Sequence, residues 1–233
     1  MPLPAVPVID RLTLAVVTAV PQWHPEHDGF QPFPVHGWVV RHPDGILLVD
    51  TGIGTGNSFI QELYQPEVVP LPKALGTVGL TCDDITAVIV SHLHFDHCGQ
   101  LGLLTTPVYI QAEEQMAAQT DGYTVPEWAH VPNDRLRLVR GDEQIAEGVR
   151  LLPTPGHTPG HQSVVIDAPG IRVVLAAQCA FRADELRSTQ PAASNLHDET
   201  WADAALDSLQ RLRGLAPFAA HLSHDPEIVN LGP

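Results

Sequence analysis

Four side chains that commonly bind metal ions lie within one short stretch of the sequence. The segment Ser-His-Leu-His-Phe-Asp-His ends at His97 and contains His92, His94 and Asp96. Mixed imidazole and carboxylate ligands suit zinc, and they also suit iron, manganese, cobalt or nickel. In an extended loop His92 and His94 point the same way, so they can bind one ion. Asp96 and His97 can turn toward a second ion, and the spacing therefore predicts two adjacent metals.

Two later segments carry further candidate ligands. His157 lies in Pro-Gly-His-Thr-Pro-Gly-His, which ends at His161, and His224 lies in Ser-His-Asp near the end of the sequence. The remaining histidines show no ligand spacing, and we expect surface or hydrogen-bonded roles for His24, His27, His36, His42, His130, His197 and His221. Four of these are predicted to lie in loops that could line a pocket: His24, His27, His36 and His130.

Short apolar runs precede most of these polar residues. They are rich in Val, Ile and Leu and have the length of buried strands, and they comprise residues 46–49, 87–90, 149–152, 173–177 and 218–222. If the ends of these strands converge at one edge of a sheet, the polar groups that follow form a single site on a rigid scaffold. The pattern thus places the chemistry at the ends of strands.

Helical patterns occur between these runs. The clearest covers residues 199–213, where Asp198 can cap the start, an apolar stripe recurs at helical spacing and Gly214 ends the helix. Weaker helical candidates cover residues 57–64 and 112–119. Strands that alternate with helices indicate a layered α/β domain. With 233 residues and 44% hydrophobic content, we expect one domain that spans residues 1–233.

The charge balance argues against several classes of partner. The net charge is −15, with only 12 Lys and Arg, so phosphate backbones and anionic lipids would be repelled. We therefore expect no nucleic-acid and no membrane partner. The sequence has no apolar run of roughly 18 residues and no signal-peptide pattern at its start, so a cytoplasmic location is expected. Cys82, Cys98 and Cys179 show no paired spacing, which argues against a disulfide framework.

Together these motifs resemble the metallo-β-lactamase superfamily, and within it the N-acyl homoserine lactonase-like branch. The resemblance runs from Gly-Trp-Val-Val at residues 37–40, through Leu-Val-Asp-Thr-Gly at 48–52, to His224. It implies a single-domain αββα sandwich with two metals bridged by a water or hydroxide. It implies that three residues bind the first metal, namely His92, His94 and His157, and that three bind the second, namely Asp96, His97 and His224.

The same resemblance suggests two supporting residues. Asp50 would orient a ligand imidazole, since metal-bound histidines generally need a partner for the second ring nitrogen. We expect His161 to play a structural role beside the ligands rather than to bind a metal itself.

At two positions the sequence departs from the family pattern. Gln178 stands where the family normally has an aspartate that bridges both metals, and an amide oxygen is a weaker, uncharged ligand. The neighbouring Cys179 could supply a thiolate instead, but strand alternation points it away from the face of Gln178, so we favour Gln178. Phe181 stands where these lactonases have a tyrosine that assists the substrate carbonyl. We expect Phe181 to contact the substrate and the second metal to bind less tightly, or to be absent.

The implied chemistry is hydrolysis. A metal ion lowers the pKa of bound water from about 15.7 to near 7, which gives a hydroxide nucleophile at neutral pH. The ion also polarises the carbonyl of the substrate. Asp96 would orient the hydroxide and pass its proton to the leaving group. The predicted cofactor is Zn²⁺, as one or two ions, with iron or manganese as alternatives.

Three functions share this set of residues. The first is a metal-dependent hydrolase that opens a lactone or cleaves a related ester, with a small molecule carrying an activated acyl group as substrate. The second is a thioesterase or cyclase-like enzyme that acts on a biosynthetic acyl intermediate. The third is a metal-binding or ligand-binding protein with little turnover, which the presence of Gln178 and Phe181 would explain. The loop at residues 120–133 is a candidate wall of the substrate pocket.

Overall fold

Two β-sheets pack face to face in the computed structural model, which describes residues 7–24 and 26–231. The first sheet has seven strands, in the spatial order β4-β1-β2-β3-β5-β6-β7. These strands are β1 Val8–Val17, β2 Phe33–His42, β3 Gly45–Val49, β4 Glu67–Val68, β5 Ala87–Ile89, β6 Val108–Gln111 and β7 Leu136–Val139. The second sheet has six strands, in the order β13-β12-β11-β10-β9-β8. These are β8 Glu143–Ala146, β9 Val149–Pro153, β10 Gln162–Ala168, β11 Ile171–Ala177, β12 Ala219–Leu222 and β13 Ile228–Asn230.

Helices cover the outer faces of both sheets. They are α1 Ser58–Tyr64, α2 Leu71–Gly76, α3 Phe95–Cys98, α4 Ala112–Ala117, α5 Pro126–Ala129, α6 Ala183–Ser188 and α7 Ala202–Gly214. Helix α2 packs on the first sheet, whereas α6 and α7 pack on the second. The order of layers is thus helix, sheet, sheet, helix, and the predicted αββα sandwich is confirmed.

The central strands are apolar along their whole length because both of their faces are buried. In β3, Leu47 and Val49 face the second sheet, and Leu48 faces the helices on the other side. In β11, Leu175 faces the first sheet, whereas Val174 faces α6 and α7. Side chains alternate between faces along a strand, so two buried faces require an uninterrupted apolar run.

Short polar side chains cap the start of α1 and of the turn that precedes α7. The side chain of Asn57 accepts a hydrogen bond from the main-chain nitrogen of Ile60 at 3.0 Å, at the start of α1. The helix predicted over residues 199–213 begins instead with a 3-10 turn, Glu199–Trp201, where Asp198 accepts from the nitrogen of Thr200 at 2.8 Å. Helix α7 then continues to Gly214.

Two sequence expectations need correction. The five predicted strands do not belong to one sheet, because β3 and β5 lie in the first sheet and β9, β11 and β12 in the second. Their ends still meet, at one edge of the two stacked sheets. His36 is not in a loop; it lies buried on β2. Within the described residues, none of the helices is long and apolar enough to cross a membrane.

Candidate metal centre

The loop after β5 is held in place by the buried carboxylate of Asp50. One oxygen of Asp50 accepts from the main-chain nitrogen of Ser91 at 2.7 Å. The other accepts from the hydroxyl of Ser91 at 2.7 Å and lies 2.9 Å from Nδ1 of His97. Asp50 itself adopts a left-handed backbone conformation, with φ of 62°. Such strain is uncommon outside glycine and persists where the surrounding contacts enforce it.

Three imidazoles form the first group of candidate ligands. The nearest ring nitrogens of His92, His94 and His157 all lie within 4.8 Å of one another. Nδ1 of His94 and Nε2 of His157 are 3.0 Å apart. Nε2 of His92 is buried and has no hydrogen-bond partner. A buried polar atom without a partner is costly, and a bound cation would satisfy it.

The second group contains one carboxylate, one amide and two imidazoles. Nε2 of His97 lies 3.5 Å from Oδ2 of Asp96 and 3.2 Å from Oε1 of Gln178. Nε2 of His224 lies 3.5 Å from the same oxygen of Asp96 and 2.9 Å from Oε1 of Gln178. Residues that are up to 128 positions apart in the sequence, Asp96 and His224, thereby face one point.

Hydrogen bonds on the far side of each ring show which nitrogen carries the lone pair. Nδ1 of His157 faces the main-chain oxygen of Asn195 at 2.9 Å, and Nδ1 of His224 faces that of Pro34 at 3.0 Å. A carbonyl oxygen only accepts, so both Nδ1 atoms must donate, and both Nε2 atoms present lone pairs to the site. His92 follows the same logic, because Ser91 donates its only hydroxyl proton to Asp50 and therefore accepts from Nδ1 of His92 at 3.1 Å.

Lone pairs that converge on one point from several directions suit a cation. Oε1 of Gln178 and Nε2 of His224, for example, are both acceptors at 2.9 Å and would repel each other without a positive charge nearby. The donor set of imidazole nitrogen, carboxylate oxygen and amide oxygen matches zinc, iron or manganese. The residues present therefore fit one or two divalent ions.

The protonation states of three of these histidines in the metal-free protein bear on how they could bind a metal. Burial alone would lower the pKa of His97, but the carboxylates of Asp96 and Asp50 outweigh it and raise this pKa to about 9. Burial lowers the pKa of His157 to about 4 and that of His224 to about 3. These two rings are therefore neutral at pH 7, as ligands must be. At His97 a metal would displace a proton, as is usual when metals bind protein sites.

A cavity of about 580 Å³ opens onto these groups. Phe33 and Phe181 form one wall, with ring centroids 5.0 Å apart, and Phe181 stacks on the ring of His224 at 4.8 Å. Tyr123 lines the cavity on the side of His94. This cavity is large enough for a small organic substrate, and six of the residues that line it are Phe or Tyr.

Other predicted residues have separate roles in the structure. His161 donates from Nδ1 to Thr154, and its Nε2 accepts from the main-chain nitrogen of Gln178 at 3.2 Å, so neither nitrogen is free. Cys179 packs in the apolar cluster under α6 and α7, and burial raises its pKa to about 12. Cys98 is buried in the cluster beside α2. Of the four histidines expected to line a pocket, His24 is at the cavity.

Two buried residues of the site carry no local signal in the sequence. Glu114 on α4 accepts four hydrogen bonds: from the nitrogen of Leu93, the hydroxyl of Tyr123, the hydroxyl of Thr158 and the nitrogen of Gly160. It therefore joins the loop of His92 and His94 to the loop of His157. Burial raises the pKa of Glu114, and these four donors oppose that shift. Asn195 is the second such residue, and it contacts both Gln178 and His157.

Comparison with known proteins gives a consistent result. Residues 30–224 match the family model of the metallo-beta-lactamase superfamily. An N-acyl homoserine lactonase from Bacillus sp is 32% identical over 194 residues, which cover 77% of this chain and 75% of that protein. The N-acyl homoserine lactonase of Bacillus cereus is 33% identical over 195 residues, with the same coverage.

Solved structures show the same similarity. An N-acyl homoserine lactone hydrolase with the product N-hexanoyl-L-homoserine bound at its catalytic metal center superposes with a TM-score of 0.77 and 26% identity, over 97% of this chain and 95% of that one. AidC, a dizinc quorum-quenching lactonase, shares the fold at 17% identity, with a TM-score of 0.69 over 97% of this chain and 90% of its own.

Proposed function

The chain belongs to the metallo-β-lactamase superfamily, and from this premise we propose that it is a hydrolase that opens the ring of N-acyl homoserine lactones or related lactones. The observation that carries the proposal is the convergence of imidazole lone pairs and one carboxylate at the floor of a cavity of about 580 Å³. Relatives that are about one third identical over most of their length are named as lactonases, which supports the choice of substrate class.

We assign the ligands by the two groups described above. His92, His94 and His157 would hold the first ion, and Asp96, His97, Gln178 and His224 the second. Zinc is the ion we expect, with iron and manganese as alternatives for the same donors. When bound, such ions make water nucleophilic near neutral pH and polarise the carbonyl of the substrate.

Asp96 is the residue we propose to handle the proton. Burial would raise its pKa, but the positive charge of the protonated His97 outweighs burial and lowers it, so the carboxylate is ionised at pH 7. In this state Asp96 accepts a hydrogen bond from the attacking water and orients it toward the carbonyl carbon. As the oxygen of the water bonds to that carbon, Asp96 takes its proton. It then gives this proton to the alkoxide oxygen that leaves as the bond between the acyl carbon and the ring oxygen breaks.

The aromatic wall would bind the acyl part of the substrate and exclude bulk water. Phe181 offers no hydroxyl to the carbonyl oxygen, and the phenol of Tyr123 is already donated to Glu114. Neither ring is therefore free to activate the carbonyl, and we assign that role to the ions. This favours substrates whose acyl carbon is already reactive, and it is the reason to keep thioesters as a second candidate class.

The test is a hydrolysis screen with the metal content measured on the same sample. Lactones, aryl esters and acyl thioesters are offered to the purified protein, before and after removal of metal with a chelator. We expect lactone opening that stops with the chelator and returns with zinc or manganese. Turnover that resists the chelator would overturn the metal mechanism, and thioester turnover far above lactone turnover would replace the proposed substrate.

A further inference from the structure

The amide of Gln178 is oriented by a second amide, that of Asn195. Nε2 of Gln178 donates to Oδ1 of Asn195 at 3.2 Å, and Nδ2 of Asn195 donates to the main-chain oxygen of Gln178 at 3.2 Å. Asn195 is 4% exposed and Gln178 is 8% exposed, so water competes little with either contact. The two residues form a reciprocal pair at the base of the site.

A main-chain carbonyl decides the direction of this pair. The two ends of an amide side chain have nearly the same shape, but one only donates and the other only accepts. Because the main-chain oxygen of Gln178 can only accept, Asn195 must turn its NH₂ toward it. The oxygen of Asn195 then faces the NH₂ of Gln178, which leaves Oε1 of Gln178 pointing at His97 and His224.

The opposite orientation would be unfavourable to a metal. With its amide reversed, Gln178 would present NH₂ protons to the cation position, where they would repel a cation instead of binding it. The backbone before Gln178 is also specialised, since Ala177 has a left-handed φ of 49° at the end of β11. This conformation sends the side chain of Gln178 into the site.

Asn195 also acts on the first group of ligands, through its main chain. Its carbonyl oxygen accepts from Nδ1 of His157 at 2.9 Å, which directs the Nε2 lone pair of His157 into the site. One residue therefore orients a candidate ligand atom in each group. The side chain of Asn195 orients Gln178 in the second group, and its main-chain oxygen orients His157 in the first. A substitution of the side chain therefore changes only the contact with Gln178.

We propose that Asn195 is a positioning residue that makes the neutral Gln178 an effective metal ligand. The inference rests on the metal centre proposed above, and it does not depend on a lactone as the substrate. An aspartate at position 178 would have two equivalent oxygens and would need no partner to orient them. Asn195 should therefore matter only while residue 178 is an amide.

The experiment compares Asn195→Leu in two backgrounds, the natural chain and Gln178→Asp. Zinc is titrated into each metal-free protein by calorimetry, and chelator competition gives the Kd of the first and second ions. In the natural background we expect Asn195→Leu to raise the Kd of the second ion about 10- to 100-fold, as for other groups that orient ligands. The Kd of the first ion should hardly change. In the Gln178→Asp background the same substitution should weaken binding of the second ion less than about threefold, because an aspartate has no donor end for Asn195 to hold away from the ion. The two substitutions should therefore be non-additive, as is usual for residues in contact.

Gln111→Leu is the matched control. Gln111 is also a buried amide, 2% exposed, but its side chain donates to Gly141 and Gln162, and neither of these is a candidate ligand. Its loss should lower the melting temperature of the metal-free protein and leave both zinc affinities in place. If Asn195→Leu does not fold, the smaller Asn195→Ala replaces it in both backgrounds.

Two results would overturn the proposal. An equal loss of second-ion affinity in both backgrounds would mean that Asn195 acts through general packing. No loss in either would mean that Gln178 needs no orientation or binds no ion. Lactone hydrolysis by the natural chain is measured in parallel, so a wrong substrate, with intact zinc binding, is distinguished from a wrong role for Asn195.

Discussion

The two groups of candidate ligands are built on different principles. The first consists of three imidazoles, and their loops are fixed to one another by the buried carboxylate of Glu114. The second combines Asp96 and the amide of Gln178 with two imidazoles, and its geometry depends on which way each polar group points. The positions of the loops thus determine where the ligand atoms of the first group lie. In the second group, the charge and orientation of individual side chains determine this. The two should respond differently to substitution.

The largest effect should come from removal of a ligand in the first group. We expect His157→Ala to lose the more tightly bound ion and to lower kcat/KM by more than about 100-fold. Loss of a group that only orients a ligand can already lower metal affinity or activity by about that factor. His92→Ala should behave alike. His224→Ala, the matched change in the second group, should deplete the second ion and spare the first. Metal analysis after dialysis checks this, and full activity with unchanged metal in either first-group variant would contradict the assignment.

Glu114→Gln should have the next largest effect, on the first group alone. Each oxygen of Glu114 accepts from a main-chain nitrogen, Leu93 on one side and Gly160 on the other. A glutamine must turn its NH₂ toward one of these donors, so no orientation satisfies both. We expect a loss of about 1–3 kcal/mol in the free energy of unfolding. The affinity for the first ion should fall about tenfold to hundredfold, as is usual when a group that supports metal ligands is lost.

The exposed neighbour Glu113 provides the control for that change. Glu113→Gln removes the same charge from the same turn of α4, without the buried contacts. It should leave denaturant unfolding and zinc affinity unchanged. Equal effects of the two substitutions would show that charge, and not the four hydrogen bonds of Glu114, supports the ligand loops.

A smaller effect is expected from Gln178→Asp, and it should appear in the second group. The added negative charge should increase the affinity for the second ion, since charges this close dominate the site. For the same reason it should slightly raise the pKa of the attacking water. The acidic limb of the pH–rate profile should therefore move to higher pH. Natural and variant proteins prepared identically are compared by metal content and by kcat/KM against pH. Two tightly held ions in the natural chain with no gain in the variant would contradict a weakened second position.

The smallest effect should come from Phe181→Tyr. A hydroxyl on this ring, which stacks on His224 at the cavity wall, could donate to the carbonyl oxygen of the substrate. We expect kcat for lactones to rise by up to about tenfold, below the full range known for a well-aligned donor. Phe33→Tyr adds the same hydroxyl to the neighbouring ring and should not raise kcat. Similar gains in both variants would point to a general change in cavity polarity.

Much of the fold was predictable because the central strands are recognisable from their own sequences. Residues buried on both faces give uninterrupted apolar runs, and all five predicted strands exist within a residue or two. Their division between two sheets was not predictable from these runs, since a run records burial and not the identity of its neighbour. The resemblance to a known family, rather than the periodicity, supplied the sandwich.

The site was predictable where ligands cluster in sequence and unpredictable where support comes from afar. The spacing from His92 to His97 is a strong local signal. Glu114 has no such signal, because a glutamate in the first turn of a helix is ordinary and its partners lie 9 to 46 positions away. Asn195 lies in a short turn, 17 positions after Gln178, and only the folded chain brings the two amides together.

The division of the ligands between the sheets gives the metal a mechanical role. His92 and Asp96 follow a strand of the first sheet, whereas His157, Gln178 and His224 follow strands of the second. An ion held by both would act as a reversible cross-link between the halves of the sandwich. A ligand that binds only the folded state adds about 4 kcal/mol to the unfolding free energy when its free concentration is a thousand times its Kd. After chelation, amide hydrogens at this edge should exchange faster with solvent, while those at the far ends of both sheets keep their protection.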